Sequence, residues 1–348
     1  MKENNERIVL DVAYQPQERT NTDTRSIMLD VIIALLPAVA VAVWQFGIYP
    51  LAVIVVSMVS AAFFEWAYRK LMKKDNTVGD LSACVTGILL ALTLPPDAPL
   101  YLPVIGSLFA IVVVKQLYGG IGKNFLNPAL AGRAFLLASY AGIMGRYTVV
   151  PKALSGVIDA TTMATPLATM YDTGAMPAYY GFKSLFLGTI PGSIGEISAL
   201  ALLIGGIYLL IRKVISWRIP VSFIGTVALL TLIFGKEGFS NGEWMLYNIL
   251  SGGLMLGAIF MATDYSTSPV TTGGQLLFGF GCGAITVLIR YFGGFPEGVS
   301  YAILIMNLCA WAIDKAFHRR QFGVSKEDVA AAKAAAKAAK KAAKEAAQ

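Results

Sequence analysis

The residues with the clearest chemical potential lie in one polar stretch, residues 159–168, which reads DATTMATPLA. It offers one carboxylate, Asp159, and three hydroxyls, at Thr161, Thr162 and Thr165. A side-chain hydroxyl is the oxygen nucleophile that a phosphoester needs. A charged adduct of that kind must lie in water or at a membrane edge, because hydrocarbon does not admit an unpaired charge. On residue types alone, a turn that ends at Pro166 is the favoured interpretation.

A second polar group surrounds the string GGIGKNFLNPALAGR at residues 119–133. A GGxG run usually marks a turn, and this one lacks the preceding strand that a dinucleotide-binding loop requires. Asn124 and Asn127 carry amides that both donate and accept hydrogen bonds. Arg133 lies about 9 Å into the helix that follows, where it must face protein or a polar cavity unless it snorkels to the surface. Asp264, in MATDYSTSP, is a further candidate, although a helix-end turn also explains it.

Cysteine and histidine usage restricts the metal chemistry of the chain. Cys84, Cys282 and Cys309 lie in separate apolar runs without CxxC spacing, so we expect buried free thiols and neither an iron–sulfur cluster nor a zinc site. His318 is the only histidine, which excludes haem ligation by a histidine pair. We expect it to belong to a basic cluster at the membrane edge.

Composition indicates which elements must position these residues. The chain has 348 residues, of which 56% are hydrophobic and 14% charged, against about 25% charged in an ordinary soluble domain. Apolar runs of about 20 residues, the length that crosses a bilayer core, recur along the chain. The sequence predicts an all-α polytopic membrane protein with about ten transmembrane helices and no cleavable signal peptide. The spans lie near 27–44, 48–67, 82–94, 102–117, 127–142, 197–215, 218–234, 245–262, 273–290 and 297–316.

Basic residues predict the orientation of these spans. The 28 Lys and Arg residues concentrate in alternate connecting segments, and such segments face the cytoplasm. We therefore expect residues 1–26 and 317–348 in the cytoplasm, and the long loop 143–196 outside. Residues 27–316 would form one transmembrane domain in the cell (inner or cytoplasmic) membrane.

Ten spans divide into two sets of five, so an internal repeat would have inverted topology. Gly87, Thr93 and Pro99 share their spacing with Gly257, Thr263 and Pro269, and each set marks the end of an apolar helix. The match is short enough to arise by chance. If it is real, two broken helices meet at a pseudo-symmetric site, where such proteins bind ligands.

The carboxylates and the C-terminal tail give weaker indications. Acids lie at or near span ends and none at mid-span, which argues against a proton relay of buried acids; they are Asp30, Glu65, Asp80, Glu196 and Asp314. The tail from Val324 is nearly all Ala and Lys. It suits a helix on anionic lipid headgroups or an acidic partner, and a frayed solubilising tail is an equal alternative. We expect no nucleic-acid partner.

The two polar strings together resemble a known family. DATTMATPLA resembles the flavinylation site of the D subunit of the Rnf complex, the ion-translocating ferredoxin:NAD oxidoreductase. It is also similar to the B subunit of the sodium-translocating NADH:quinone reductase. The string GGIGKNFLNPALAGR resembles a signature of the same family. The resemblance covers roughly residues 25–316, and the short N-terminus mildly favours the Rnf type.

This resemblance implies two flavin sites. Thr165 would carry FMN through a phosphoester, within a motif that also includes Asp159, Thr162 and Ala164. Met163 stands where the family usually has Gly, which keeps the acceptor hydroxyl but removes the backbone freedom of Gly that a flavin transferase would meet. A non-covalent riboflavin would lie near the cytoplasmic face, and we assign it to Asn124, Asn127 and Asp264, with Arg133 as an additional candidate.

The resemblance implies an electron-transfer subunit that works between the ferredoxin and NAD sides of its complex, coupled to Na+ or H+ translocation. The chain has no NAD-binding domain and no cluster cysteines, so other subunits must supply the iron–sulfur centres and the nucleotide site. Two alternatives stay open. One is a channel or solute carrier with inverted repeats, in which Thr165 is an ordinary loop residue, and the other is the quinone-reductase B subunit.

Overall fold

The structure, a computed structural model, describes residues 23–145, 147, 165–174, 181–236, 238–293 and 297–317. Within these ranges the regular elements are helices, and no strand is present. The predicted all-α class is confirmed. Asp159, Thr162, Ala164 and the Ala/Lys tail lie outside the described residues.

Among the described residues, the first half of the chain supplies six helices besides a short 3₁₀ helix at Val78–Asp80. They are α1 (Thr24–Phe46), α2 (Tyr49–Leu71), α3 (Ser82–Leu92), α4 (Tyr101–Gln116), α5 (Pro128–Ser139) and the short α6 (Ala141–Met144). Proline lies in the first turn of α2 and of α5, where the missing N–H has no helical partner to lose. α4 begins as an α-helix and continues as a π-helix over Phe109–Gln116.

The second half supplies eight helices among the described residues. They are α7 (Pro166–Thr173), α8 (Phe182–Leu187), α9 (Ala199–Ile211), α10 (Arg218–Ile233), α11 (Asn241–Leu250), α12 (Leu254–Met261), α13 (Thr272–Phe292) and α14 (Val299–Ala316). Every predicted span corresponds to one of these helices or to a helix pair.

Four helices, α1, α2, α13 and α14, are long and apolar enough to cross a membrane, and the bent pair α11–α12 adds a fifth. The helices α3, α4, α9 and α10 are shorter but also apolar. The chain is therefore a multi-pass membrane protein. The expectation of three buried thiols was wrong, because Cys309 is exposed and Cys84 half-buried, while Cys282 alone is buried.

The predicted continuous span 245–262 was wrong in one respect. α11 and α12 meet at 61° across residues 251–253. Gly252 and Gly253 have φ values of 70° and 68°, a left-handed conformation that glycine adopts without steric cost. These two glycines break the helix where a hydropathy pattern registers only an uninterrupted apolar run.

Helix packing repeats between the two halves. α2 packs on α3 and α4, as α10 packs on α11 and α13, while α1 contacts α9 and α5 contacts α14. The paired threonines behave alike: the hydroxyl of Thr93 donates to Leu90 O after α3, and that of Thr263 donates to Ile259 O after α12. Such back-bonding is common for threonine in helices, and the two five-helix repeats stay a prediction.

Part of the predicted external loop lies inside the molecule. Ile190 and Ile194 belong to the apolar core, and the backbone of this segment pairs with the end of α3. Ile194 N donates to Leu94 O and Gly195 N to Leu92 O. Its apolar side chains and these hydrogen bonds hold the segment against the end of α3.

Candidate functional site

Asn124, Asn127 and Asp264, which the sequence grouped on one side, line one cleft between α1, α3, α5 and α12. Asn127 begins α5: its side-chain oxygen accepts from Ala129 N at 3.1 Å and from Leu130 N at 3.3 Å. Its amide donates to Met261 O at 3.1 Å. Asn127 therefore caps α5 and ties it to the end of α12, which fixes one wall of the cleft.

One hydrogen-bonding group of the Asn124 side chain has no partner among the described residues. Its Nδ2 donates to Ser266 Oγ at 3.0 Å, and Ser266 Oγ donates in turn to Asp264 Oδ2 at 2.9 Å. Its Oδ1 is buried and has no hydrogen-bond partner among the described residues. Buried polar atoms are normally satisfied, so such an atom in a cleft indicates a ligand group that donates to it.

The walls of the cleft suit a flat ligand with one polar edge. The cavity that the cleft encloses is small, about 90 Å³, so a flavin-sized ligand requires the walls to move apart. Apolar side chains such as Val31, Leu89, Leu209 and Phe260 line most of it, and the amides and the carboxylate supply a few oriented polar groups. Apolar walls with few polar groups are typical of cofactor sites.

Asp264 lies in the turn between α12 and α13. Desolvation raises the pKa of its carboxyl above the usual range, and the hydroxyls of Ser266 and Thr267 that donate to it oppose the rise. Asp264 thereby orders the turn that carries Ser266, and through it the Asn124 amide.

Sequence reasoning missed a buried ion pair beside this cleft. Lys115 Nζ lies 2.7 Å from Glu65 Oε2, and the two side chains are 3% and 1% exposed. Lys115 also donates to Ser82 Oγ at 2.6 Å, and both Lys115 and Ser82 line the cleft. Lys115 was not among the residues predicted to bind a ligand. Its position at the end of the apolar run FAIVVVK is the signal that could have identified it.

Arg133 neither snorkels nor reaches the cleft. It is buried and donates to Thr93 O at 3.0 Å, Glu196 Oε1 at 3.3 Å and Glu297 Oε2 at 2.6 Å. Tyr147 also donates to Glu297. The prediction that it faces protein is confirmed. The acids Glu65 and Glu196 lie near span ends as predicted but are buried in ion pairs, because helix packing encloses them.

Thr165 is the N-cap of α7, and its hydroxyl accepts from Ala168 N at 3.3 Å. The residue is 6% exposed, so its hydroxyl faces protein in this structure, where the sequence predicted water or the membrane edge. The cap turns the hydroxyl toward the first turn of α7, and Leu167 anchors that turn in a cluster with Met170 and Trp244. An adduct on Thr165 requires the hydroxyl to turn outward from the cap.

A buried cation lies beside α7. Arg290 Nη1 donates to Asn248 O at 2.6 Å and Nη2 to Ser251 O at 3.3 Å, both carbonyls near the break between α11 and α12. Its Nε is buried without a partner among the described residues. Leu167 of α7 and the Arg290 guanidinium both lie close to Gly252, because a Cβ on this glycine would contact both of them.

The chain is similar to known proteins over most of its length. A family model described as the NQR2, RnfD, RnfE family matches residues 11–323. The D subunit of the Na(+)-translocating ferredoxin:NAD(+) oxidoreductase complex of Acetobacterium woodii is 48% identical over 321 residues, 91% of this chain and 96% of the relative. The D subunit of the proton-translocating ferredoxin:NAD(+) oxidoreductase complex of Clostridium ljungdahlii is 41% identical over 326 residues, 91% and 97% of the two chains. The D subunit of the ion-translocating oxidoreductase complex of Stutzerimonas stutzeri is 37% identical over 323 residues, 85% and 91% of the two chains.

Proposed function

This chain belongs to the NQR2, RnfD, RnfE family, and from that premise we propose that it is the membrane electron-transfer subunit of an Rnf-type ion-translocating oxidoreductase. In this proposal it carries FMN covalently on Thr165 and a non-covalent riboflavin in the cleft of Asn124, Asn127 and Asp264. The resemblance stated from the two polar strings agrees with the family match.

The observation that carries the riboflavin assignment is the unsatisfied Asn124 Oδ1 in a cleft that also collects Asn127 and Asp264. A flavin bound there supplies one- and two-electron chemistry. The residues of this chain bind and orient the flavin. Asn124 accepts from the polar edge of the ligand, the Asp264–Ser266 pair holds the Asn124 amide in orientation, and the apolar walls exclude water.

The surroundings of Thr165 fit a phosphoester. A flavin phosphodiester carries one negative charge, and the N-terminus of an α-helix offers free N–H groups and positive potential. Thr165 is the N-cap of α7, so a phosphate on a hydroxyl that has turned out of the cap stays beside the N-terminus of this helix. Released from Thr165 Oγ1, Ala168 N would be free to donate to a phosphate oxygen.

The rest of the complex supplies what the chain lacks. We propose that partner subunits carry the iron–sulfur centres and the NAD site, and that a flavin transferase matures Thr165. The coupling ion differs between the relatives, since one is named Na(+)-translocating and another proton-translocating. We accordingly propose coupling to Na+ or H+ without choosing between them.

The covalent site is tested by replacing Thr165 with Val, which is nearly isosteric but lacks the hydroxyl. With the flavin transferase co-expressed, we expect Thr165→Val to lose the fluorescent band that survives denaturing electrophoresis. Thr169→Val, in the same helix, is the matched control and should keep it. Mass spectrometry of the peptide from Ala153 to Lys183 identifies the adduct. An adduct that persists in Thr165→Val would refute the assignment, and a wild type without flavin would favour a channel or carrier.

The topology is tested with reporters. A reporter at the C-terminus should behave as cytoplasmic, and one inserted between Ala175 and Phe182 as external, because basic segments alternate along the chain. If both reporters lie on the same side, the ten-span arrangement is wrong.

A further inference from the structure

We propose that the buried pair Lys115–Glu65 sets the reduction potential of the flavin in the cleft, with Lys115 as the electropositive group that favours the reduced form. The inference rests on the riboflavin part of the proposed function. It assigns a role to two residues that the proposed function does not use.

The pair is oriented with its positive end toward the cleft. Lys115 and Ser82 line the cleft, whereas Glu65 does not. A ligand in the cleft therefore lies closer to the ammonium group than to the carboxylate. Among the described residues that line the cleft, the acid is Asp264, in the turn after α12, and the basic residue is Lys115. Lys115 therefore provides the local cationic charge.

One donor of Lys115 is still available. An ammonium group has three N–H donors, and the described residues use two of them, at Glu65 Oε2 and Ser82 Oγ. The third can donate to an oxygen or nitrogen on the polar edge of a ligand. Glu65 and Ser82 hold the ammonium group in one orientation, which a long Lys side chain would otherwise not keep.

The cost of the arrangement also indicates a function. Burying an ion pair is seldom better for stability than burying apolar side chains of similar volume. Here both charges are almost fully buried. Lys115 also lies in the π-helical part of α4, Phe109–Gln116, and π-helical segments are frequent at functional sites.

The chemistry follows from charge balance. Reduction by one-electron donors, an iron–sulfur partner in the complex or dithionite in a cuvette, adds two electrons and one proton to a flavin and leaves one negative charge. The Lys115 ammonium group stabilises that charge by its field and one hydrogen bond. Removing the ammonium charge therefore disfavours reduction, and removing the Glu65 charge favours it.

The test is spectroelectrochemical titration of the non-covalent flavin in the purified complex. In Lys115→Met, we expect the ratio of reduced to oxidised flavin at a fixed potential to fall at least tenfold, about 30 mV for a two-electron couple. In Glu65→Gln, which is isosteric, the ratio should rise. Lys74→Met removes an exposed charge at the end of α2 and should leave the ratio unchanged.

Opposite shifts separate this role from a structural one, because a merely structural pair would perturb the potential in the same direction in both variants. Shifts of the same sign, or none in variants that retain the flavin, would overturn the proposal. If Lys115→Met does not assemble, Glu65→Gln alone decides by the sign of its shift. Loss of the non-covalent flavin from wild type would overturn this proposal and the riboflavin assignment together, whereas loss of covalent FMN alone would not touch it.

Discussion

Replacing Asn124 with Leu should release the non-covalent flavin while the protein stays folded. The variant loses one internal hydrogen bond, from Nδ2 to Ser266 Oγ at 3.0 Å, worth about 0.5–1.5 kcal/mol. It also removes the buried Oδ1 that has no partner among the described residues. Removing an unsatisfied oxygen offsets the lost bond, so we expect little change in the free energy of unfolding.

The substitution should lower the free energy of ligand binding by more than it lowers the free energy of unfolding. A donor on the flavin edge that is left buried and unpaired costs about 1–3 kcal/mol, which weakens binding roughly 5- to 150-fold at 1.4 kcal/mol per factor of ten. Asn127 is the poorer target, because removing a cap costs about 0.5–2 kcal/mol on its own.

The assay is the riboflavin content of the purified complex, released by denaturation and quantified by fluorescence against the covalent flavin that stays with the chain. Asn241→Leu, which replaces an exposed amide at the start of α11, is the control and should keep full content. A well-assembled Asn124→Leu complex with unchanged riboflavin stoichiometry and affinity would refute the reasoning.

Two further predictions concern the polar interior. Arg133→Met leaves Glu196 and Glu297 uncompensated and should lower the free energy of unfolding by about 3–5 kcal/mol, measured as thermal stability in detergent. Adding Glu196→Gln and Glu297→Gln should recover much of the lost stability. If it does not, the buried ion pairs of Arg133 are not the cause of the loss. Gly252→Ala forces a side chain into a left-handed residue beside α7 and should lower both stability and flavinylation, whereas Gly225→Ala in open space on α10 should be neutral or stabilising. Equal effects of the two glycine variants would contradict this account.

Hydropathy predicts the helices of this fold because a membrane segment satisfies its own backbone, so each apolar run reports one element. The short third span, predicted over 82–94 because Pro95 and Pro96 follow it, corresponds to α3, which ends at Leu92. The break between α11 and α12 was not readable, because Gly252 and Gly253 can continue an apolar helix as well as break it. In the fold, Arg290 donates to the carbonyls of Asn248 and Ser251 near the break, and that contact is not visible in the local sequence.

The candidate site was predictable to the extent that its residues are close in sequence or carry a recognisable string. Asn124 and Asn127 were found in one string, and the family resemblance brought Asp264 to the same face. The partners of Arg133 were not predictable, because Glu196 and Glu297 are 63 and 164 residues away. Lys115 and Glu65 are 50 residues apart on different helices, and pairing at that distance requires the tertiary fold.

The break between α11 and α12 has a consequence for how the protein is made. The carbonyl of Asn248 finds its partner in Arg290, 42 residues later in the chain. Until α13 has left the ribosome and entered the bilayer, the carbonyls at the break face hydrocarbon or must keep water or an insertion factor beside them. We therefore expect that the bent pair does not settle in lipid as an independent span, and that α11 to α13 enter the membrane as one unit.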